Sequence, residues 1–404
     1  MRLGGLGLRS AERMSQAAFW ASWADALHML DQRLPRVTEQ IVTALTEGVP
    51  GEGCLAELAA AASSLDRDGF VSRPSWVELR SGVRPMSYTA EPGEWPHGWQ
   101  YYASSSSEHH FRRSIVLASS SAADRAHLRS HSGIGAASVF NGAPTAIEYE
   151  VRPEHFRALV LERLRLPLPI TEAKCECGAP LDQRGCHRAA CPRSGRLRSR
   201  AVPVERTLAR VCHEAGATVR CNVKLRDLNV AVAAHDERAI EVIASGLPCY
   251  HGAQLAVDVT LRSPLTSCGS ARSRAADEDG AILARARKDK ETKYSELTTG
   301  ARCRLVVVAL ETGGRWSDEA ATFVRLLAEA RARDAPPCLR KSMSLAWARR
   351  WTRMLAVAAG SAFATSLVSP TAALGADQAD GAAPQPSCLL AEPAGAATIR
   401  LPLR

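Results

Sequence analysis

Lysine is nearly missing from this chain: of 51 basic residues in 404, six are lysine and the other 45 are arginine. Where arginine is the default cation, a lysine marks a place that wants a compact ammonium rather than a planar guanidinium. Aromatic residues are also few, at 5%, so the cores must be built mainly from aliphatic side chains. A long apolar run is absent as well. The apolar part of the longest uncharged stretch, residues 354–368, is broken by Gly360, Ser361 and Thr365. It falls short of the roughly 20 apolar residues that cross a bilayer, so no membrane partner is expected. The first residues lack the pattern of a secretory leader, and the twelve cysteines show no paired framework; together these point to a reducing compartment.

What is present is ordinary in bulk. A hydrophobic fraction of 46% over 404 residues is enough for two or three domains. The net charge of +9 is unevenly spread. Residues 174–230 hold 12 Lys and Arg against 5 Asp and Glu. Phosphate backbones are the commonest partner of such a patch, the alternative being a general preference for arginine. Three of the six lysines, Lys288, Lys290 and Lys293, lie close together.

Residues 1–65 read as a helical segment, with Phe19, Trp20, Trp23, Leu27 and Leu30 at three- and four-residue steps. Residues 66–150, with several prolines and the serine runs 104–107 and 119–121, read as an irregular, loop-rich region. Residues 151–201 open with Pro153 at a helix start and an apolar face of Phe156, Leu159, Val160 and Leu164, followed by a cysteine cluster. Residues 202–312 hold a helix with Val204, Leu208, Val211 and Cys212 inward, then strands over 218–223, 225–232, 239–244 and 254–261. A helix over 277–297 and a strand over 304–310 complete this part. The order matches the αβββαβ core of the restriction-endonuclease-like fold, with one extra hairpin strand; the expected class is α+β or α/β. Residues 313–368 read as two C-terminal helices, the first capped by Ser317 and the second aligning Trp347, Trp351 and Leu355. Residues 369–404 read as a disordered tail.

Two clusters carry chemistry. Cys175, Cys177, His187 and Cys191 form a C-x-C-x9-H-x3-C pattern that can supply zinc with four soft or imidazole ligands. Cys186 could replace His187. All four positions being protein ligands, such a zinc is structural. Arg188, Arg193, Arg196, Arg198 and Arg200 beside it are candidates to grip nucleic acid. The second cluster starts from the strand LAVDVTL, where Leu255, Val257, Val259 and Leu261 alternate with Ala256, Asp258 and Thr260. An acid inside such a strand must be paired, hydrated or metal-bound. Asp227 and Asp258 are candidate Mg²⁺ ligands with Glu241 in reserve, and Lys293 is the candidate assisting cation with Lys290 behind it. Tyr294, one turn from Lys290, could orient it. Two carboxylates and a lysine around Mg²⁺ are suited to phosphodiester hydrolysis. An ordinary strand aspartate and a solvated charge run are the plain alternative.

From about Arg152 to Leu367 the chain resembles the C-terminal region of non-LTR retrotransposon polyproteins that carry a restriction-like endonuclease. The resemblance rests on the CCHC knuckle, the RDL at 226–228, the VDVT at 257–260 and the K-x2-KY at 290–294. It implies a PD-(D/E)xK-type site that nicks target DNA, with Zn²⁺ and Mg²⁺ as cofactors, element RNA as a second partner and a nuclear location. Two departures stand out. Arg226 replaces the proline that usually precedes the first acid, and no Y-x-D-D polymerase motif occurs, so the chain is not a reverse transcriptase by itself. The competing expectations are a catalytically dead, zinc-dependent nucleic-acid-binding remnant and a helical scaffold for protein partners.

Overall fold

The computed structural model describes residues 3–48, 52–85, 97–228, 230–299 and 303–369. Residues 370–404, most of the expected tail, lie outside them. Residues 1–368 form one contact unit. Among the described residues no helix is long and apolar enough to cross a membrane.

The first part is helical. Helices α1 (Ala11–Arg33) and α2 (Pro35–Thr46) are separated at Pro35, which suits a helix start because it brings no N–H. Helices α3 (Cys54–Arg67), α4 (Trp76–Arg80) and α5 (Trp99–His110) pack against them. Their shared core centres on Trp20, whose ring meets Phe70 and Trp99 edge-on at 5.5 and 6.0 Å. The loop expected over 66–150 is in good part helix. Serines 104–107 lie within α5, where Ser104 and Ser107 are buried and the Ser106 hydroxyl donates to the Asp68 carbonyl at 3.0 Å. A π-helical turn, Phe111–Leu117, continues α5, and α6 (Ala122–Ser130) follows, capped by the Ser121 hydroxyl.

Helix α7 (Pro153–Arg163) starts at its proline as expected, but it buries a different face. His155, Ala158, Leu159, Glu162 and Arg163 point inward, while Phe156 and Leu164 are exposed. The inward charges are satisfied by partners: the Arg163 guanidinium donates to the Ala136 and His131 carbonyls at 3.1 and 3.0 Å. The cysteine loop follows with two short helices, α8 (Cys186–Ala190) and α9 (Arg196–Ser199).

Next comes α10 (Val202–Glu214), which buries Val204, Leu208, Val211 and Cys212 as its periodicity requires. The sheet contains β1 (Thr218–Lys224), β2 (Ala239–Ser245) and β3 (Gln254–Arg262), then β4 (Cys303–Glu311), in spatial order β1-β2-β3-β4. The first three are antiparallel neighbours; β3 and β4 are parallel and in register from Gln254 opposite Cys303 to Arg262 opposite Glu311. Parallel neighbours need a crossover, and α11 (Ala281–Lys293) with α12 (Ser295–Thr299) supplies it. Among the described residues of 225–232 there is no strand: β1 ends at Lys224 and a 3-10 turn, Leu225–Asp227, follows. The fold is therefore mixed α and β with a four-stranded mixed sheet, without the extra hairpin strand.

The sheet divides two cores. Leu255, Val257, Val259 and Leu261 join α10, α13 (Asp318–Ala332) and α14 (Arg340–Val368) on one face. Ala256 joins Ile243, Leu305, Val307 and the helix residues Leu283 and Ala286 on the other. Fully burying each large aliphatic side chain contributes roughly 1.5–3 kcal/mol, so this strand can tolerate a costly polar residue. That residue is Asp258.

Candidate nuclease centre and metal-binding loop

Asp258 has no exposed surface and faces α11. The strand pairing aligns Val242 with Val257, so Glu241 on β2 stands next to Asp258 one step further along. On α11, Ile282, Ala286 and Lys290 recur every fourth residue, and the first two are buried, Ala286 against the sheet and Ile282 beside Ala126, Leu265 and Ala275. The third therefore arrives over the acids: the Lys290 ammonium contacts Asp258 Oδ1 and lies 4.0 Å from Glu241 Oε1.

Burial and the neighbouring charge of Asp258 push the Glu241 carboxyl up to about 8. Glu205, on α10, is raised by burial first and by Asp258 second. Tyr294 is fully buried, raised chiefly by burial, and its hydroxyl donates to the Ala239 carbonyl at 2.9 Å. It thus ties the end of α11 to the start of β2. Asp258 Oδ2 and Glu241 Oε2 are buried without a hydrogen-bond partner, and Asp258 Oδ1 has the Lys290 ammonium. Carboxylate oxygens left in this way suit a hard divalent cation.

Glu205, Glu241 and Lys290 open onto a cleft of about 640 Å³ that Thr260 and Lys293 also line, while Asp258 is buried behind them and is not part of the lining. Arg198, Arg206, Arg262 and Arg272 also line it, so cations surround the acids. Asn222, in β1, lies on the lining opposite Glu241 and has φ 53°, a left-handed conformation that asparagine tolerates better than most residues.

The expected residues do not all meet. Asp258, Lys290, Glu241 and Tyr294 come together. Lys293 is exposed on the cleft wall with its ammonium 4.6 Å from the centre of the Tyr294 ring, and its carbonyl accepts from Arg238. Asp227 is exposed on the 3-10 turn after β1 and is not part of the cleft lining. The places expected for Asp227 and Lys293 beside Asp258 are held by Glu241 and Lys290. Glu205 was not anticipated. Its signal is an acid one step from the inward stripe of an amphipathic helix, which is weak in a sequence. Arg262 and Arg272 carried no periodic signal at all.

In the cysteine loop, one ligand atom each from Cys175, Cys177, His187 and Cys191 lies within 4.8 Å of the others. Cys177 Sγ is 3.2 Å from His187 Nε2, and Cys175 Sγ is 4.0 Å from Cys191 Sγ. Such a group could hold a metal ion, and its soft donors are compatible with zinc. Cys186 is outside the cluster, with its thiol 3.8 Å from Arg165 Nη1. The loop is shaped locally: Cys175 N–H donates to Ala179 at 2.8 Å, closing a tight turn with Gly178 at φ +84°. The Asp182 carboxylate then accepts the backbone N–H groups of Arg184, Cys186 and His187 at 3.1, 3.0 and 2.8 Å. It caps α8 and sets the direction of His187.

Of the five arginines expected to face nucleic acid, three are buried anchors. Arg188 pairs with Glu172 at 2.7 Å and donates to the Leu367 carbonyl. Arg196 pairs with Glu176 at 2.7 Å and reaches the Ser366 carbonyl at 2.9 Å. Arg200 donates to the carbonyls of Ala189 and Leu261, both at 2.8 Å. They fasten the loop to α14 and to β3. Arg193 and Arg198 are exposed, and Arg198 lies on the cleft.

No family model matches the chain, and no curated protein is significantly similar to it.

Proposed function

We propose that this chain is a Mg²⁺-dependent DNA endonuclease of the restriction-like class, paired with a zinc knuckle, as in the C-terminal region of non-LTR retrotransposon polyproteins. The observation that carries the reading is the buried Glu241–Asp258 pair with Lys290 against it, Glu241 and Lys290 lining an arginine-rich cleft and Asp258 lying behind them. The order α10, β1, β2, β3, α11, β4, with β3 and β4 parallel, agrees with the αβββαβ arrangement of that class.

In this reading Glu241 and Asp258 hold the cation, with Glu205 facing them from α10. A divalent cation bound there would polarise the scissile phosphate and acidify an attacking water. Lys290 places a compact positive charge beside Asp258, where it can orient that water and offset charge developing on phosphate. Tyr294 holds the end of α11 on β2 and so fixes the lysine; it is a positioning residue. Arg198, Arg206, Arg262 and Arg272 supply phosphate contacts along the cleft. The partners that follow are target DNA and element RNA, and the location that follows is the nucleus. Mg²⁺-dependent nicking of supercoiled plasmid by the purified chain tests the proposal.

A further inference from the structure

A second group of metal-ligating side chains lies apart from both the cleft and the cysteine loop. His127 is in α6, and His131, four residues on, is the residue that ends that helix. Residues spaced by four lie one above the other on a helix, and the two rings are 4.2 Å apart between centres. Glu162 of α7 faces both. Its Oε2 is 2.8 Å from His131 Nε2, and its Oε1 is 3.5 Å from His127 Nδ1. All three residues are buried, at 5, 3 and 9% exposure.

The tautomers are constrained. His131 Nδ1 lies 3.0 Å from the His127 carbonyl, which can accept its proton and leave Nε2 free for an ion shared with Glu162. A backbone carbonyl fixing one ring nitrogen while the other faces a ligand site is the usual setting of a metal-bound histidine. His127 Nε2 is buried without a partner.

One donor atom from each residue lies within 4.8 Å of the others. Zinc bonds to nitrogen and oxygen of about 2.0–2.1 Å give a tetrahedral edge of roughly 3.4 Å. The His127–Glu162 separation of 3.5 Å already has that length. The His131–Glu162 pair, at 2.8 Å, needs a small opening.

We propose that His127, His131 and Glu162 form a second zinc site, with nitrogen and oxygen ligands only and its fourth position left to a water. It would join α6 to α7. Next to it, the Ser130 hydroxyl accepts the Gly313 N–H at 3.1 Å, just beyond β4. The ion would thus hold α6 and α7 together beside this contact with the sheet. This inference does not depend on the nuclease reading.

The test is a metal count on the full chain with thiol-selective release. A mercurial reagent displaces zinc held by thiolates; a chelator added afterwards releases the rest. The site predicts one ion per chain that resists the mercurial and yields to the chelator, and its loss in both His127→Gln and Glu162→Gln. Cys177→Ser should remove the mercurial-sensitive ion and spare the other. If those histidine or glutamate variants fail to fold, cobalt substitution of the unaltered chain decides. The proposal requires a cobalt band without thiolate charge transfer that persists after the thiols are blocked. Zinc released wholly by the mercurial, or a resistant ion that survives both substitutions, would overturn it.

Discussion

The Lys290 ammonium of α11 lies against the Asp258 carboxylate of β3, and Glu241 of β2 completes the group. This places a lysine from the crossover helix, rather than from the strand that carries the acid, at the centre of the cleft. Its consequences separate residues that the sequence treats as equals.

Lys290→Ala and Glu241→Gln should each lower cleavage by about 100-fold or more, the usual cost of removing a group that stabilises transition-state charge. Lys293→Ala should cost far less, and Asp227→Asn should leave the rate within a few-fold of the unaltered chain. Single-turnover cleavage by the four variants checks this. A severe defect in Asp227→Asn with normal Glu241→Gln would reverse the assignment.

The buried and exposed arginines should part company in the same way. Arg188→Ala removes a buried guanidinium that bonds Glu172 and the Leu367 carbonyl and should destabilise the fold by about 1–3 kcal/mol, chiefly through the buried carbonyl left unpaired. Arg193→Ala and Arg198→Ala should leave the unfolding midpoint unchanged. If these exposed side chains meet phosphate, each should reduce the salt slope of DNA binding by about 1. Urea unfolding and salt-dependent anisotropy read the two effects separately.

Asp182 should matter to the cysteine loop although it is no ligand. Its carboxylate holds three backbone N–H groups, that of His187 included. Asp182→Ala should weaken zinc affinity by about 10-fold or more. Competition with a zinc chelator measures it; unchanged affinity would show that the loop is set by its ligands alone.

Much of this arrangement was legible in the sequence, for physical reasons that also explain the exceptions. Asp258 stood out because strict alternation in LAVDVTL fixes its face. The cysteine cluster stood out by ligand type and spacing. The choice between Lys290 and Lys293 turned on helical phase, and the four-residue steps from Ile282 and Ala286 lead to Lys290. Asp227 was misleading because 225–232 reads as β-forming while the chain turns at Leu225 instead. The inward face of α7 was hidden because it is largely charged: His155, Glu162 and Arg163 are buried by their partners, not by hydrophobicity. The helices of 66–150 were obscured by serines whose hydroxyls bond to the backbone and to Asp68.

Glu311, at the end of β4, gives a pH dependence of stability. Burial raises its carboxyl to about 6 from the ordinary value of 4.5. The folded chain thus holds this proton more tightly than the unfolded one. Its contribution to stability falls as the pH rises from about 4.5 to about 6 and stays lower above that. Glu311→Gln should therefore be more stable than the unaltered chain at pH 7, by about 2 kcal/mol, and nearly equal to it at pH 4. Urea titrations at the two pH values check this; equal differences at both would contradict it.

The most direct test of the central claim compares the unaltered chain with Asp258→Asn in Mg²⁺-dependent nicking of supercoiled plasmid, with DNA retention measured in the same samples. The account predicts nicking by the unaltered chain, its loss in Asp258→Asn, and retention of DNA by both. DNA retained by both without nicking by either would contradict a catalytic centre at Asp258 and leave a binding protein; nicking that persists in Asp258→Asn would place the chemistry elsewhere.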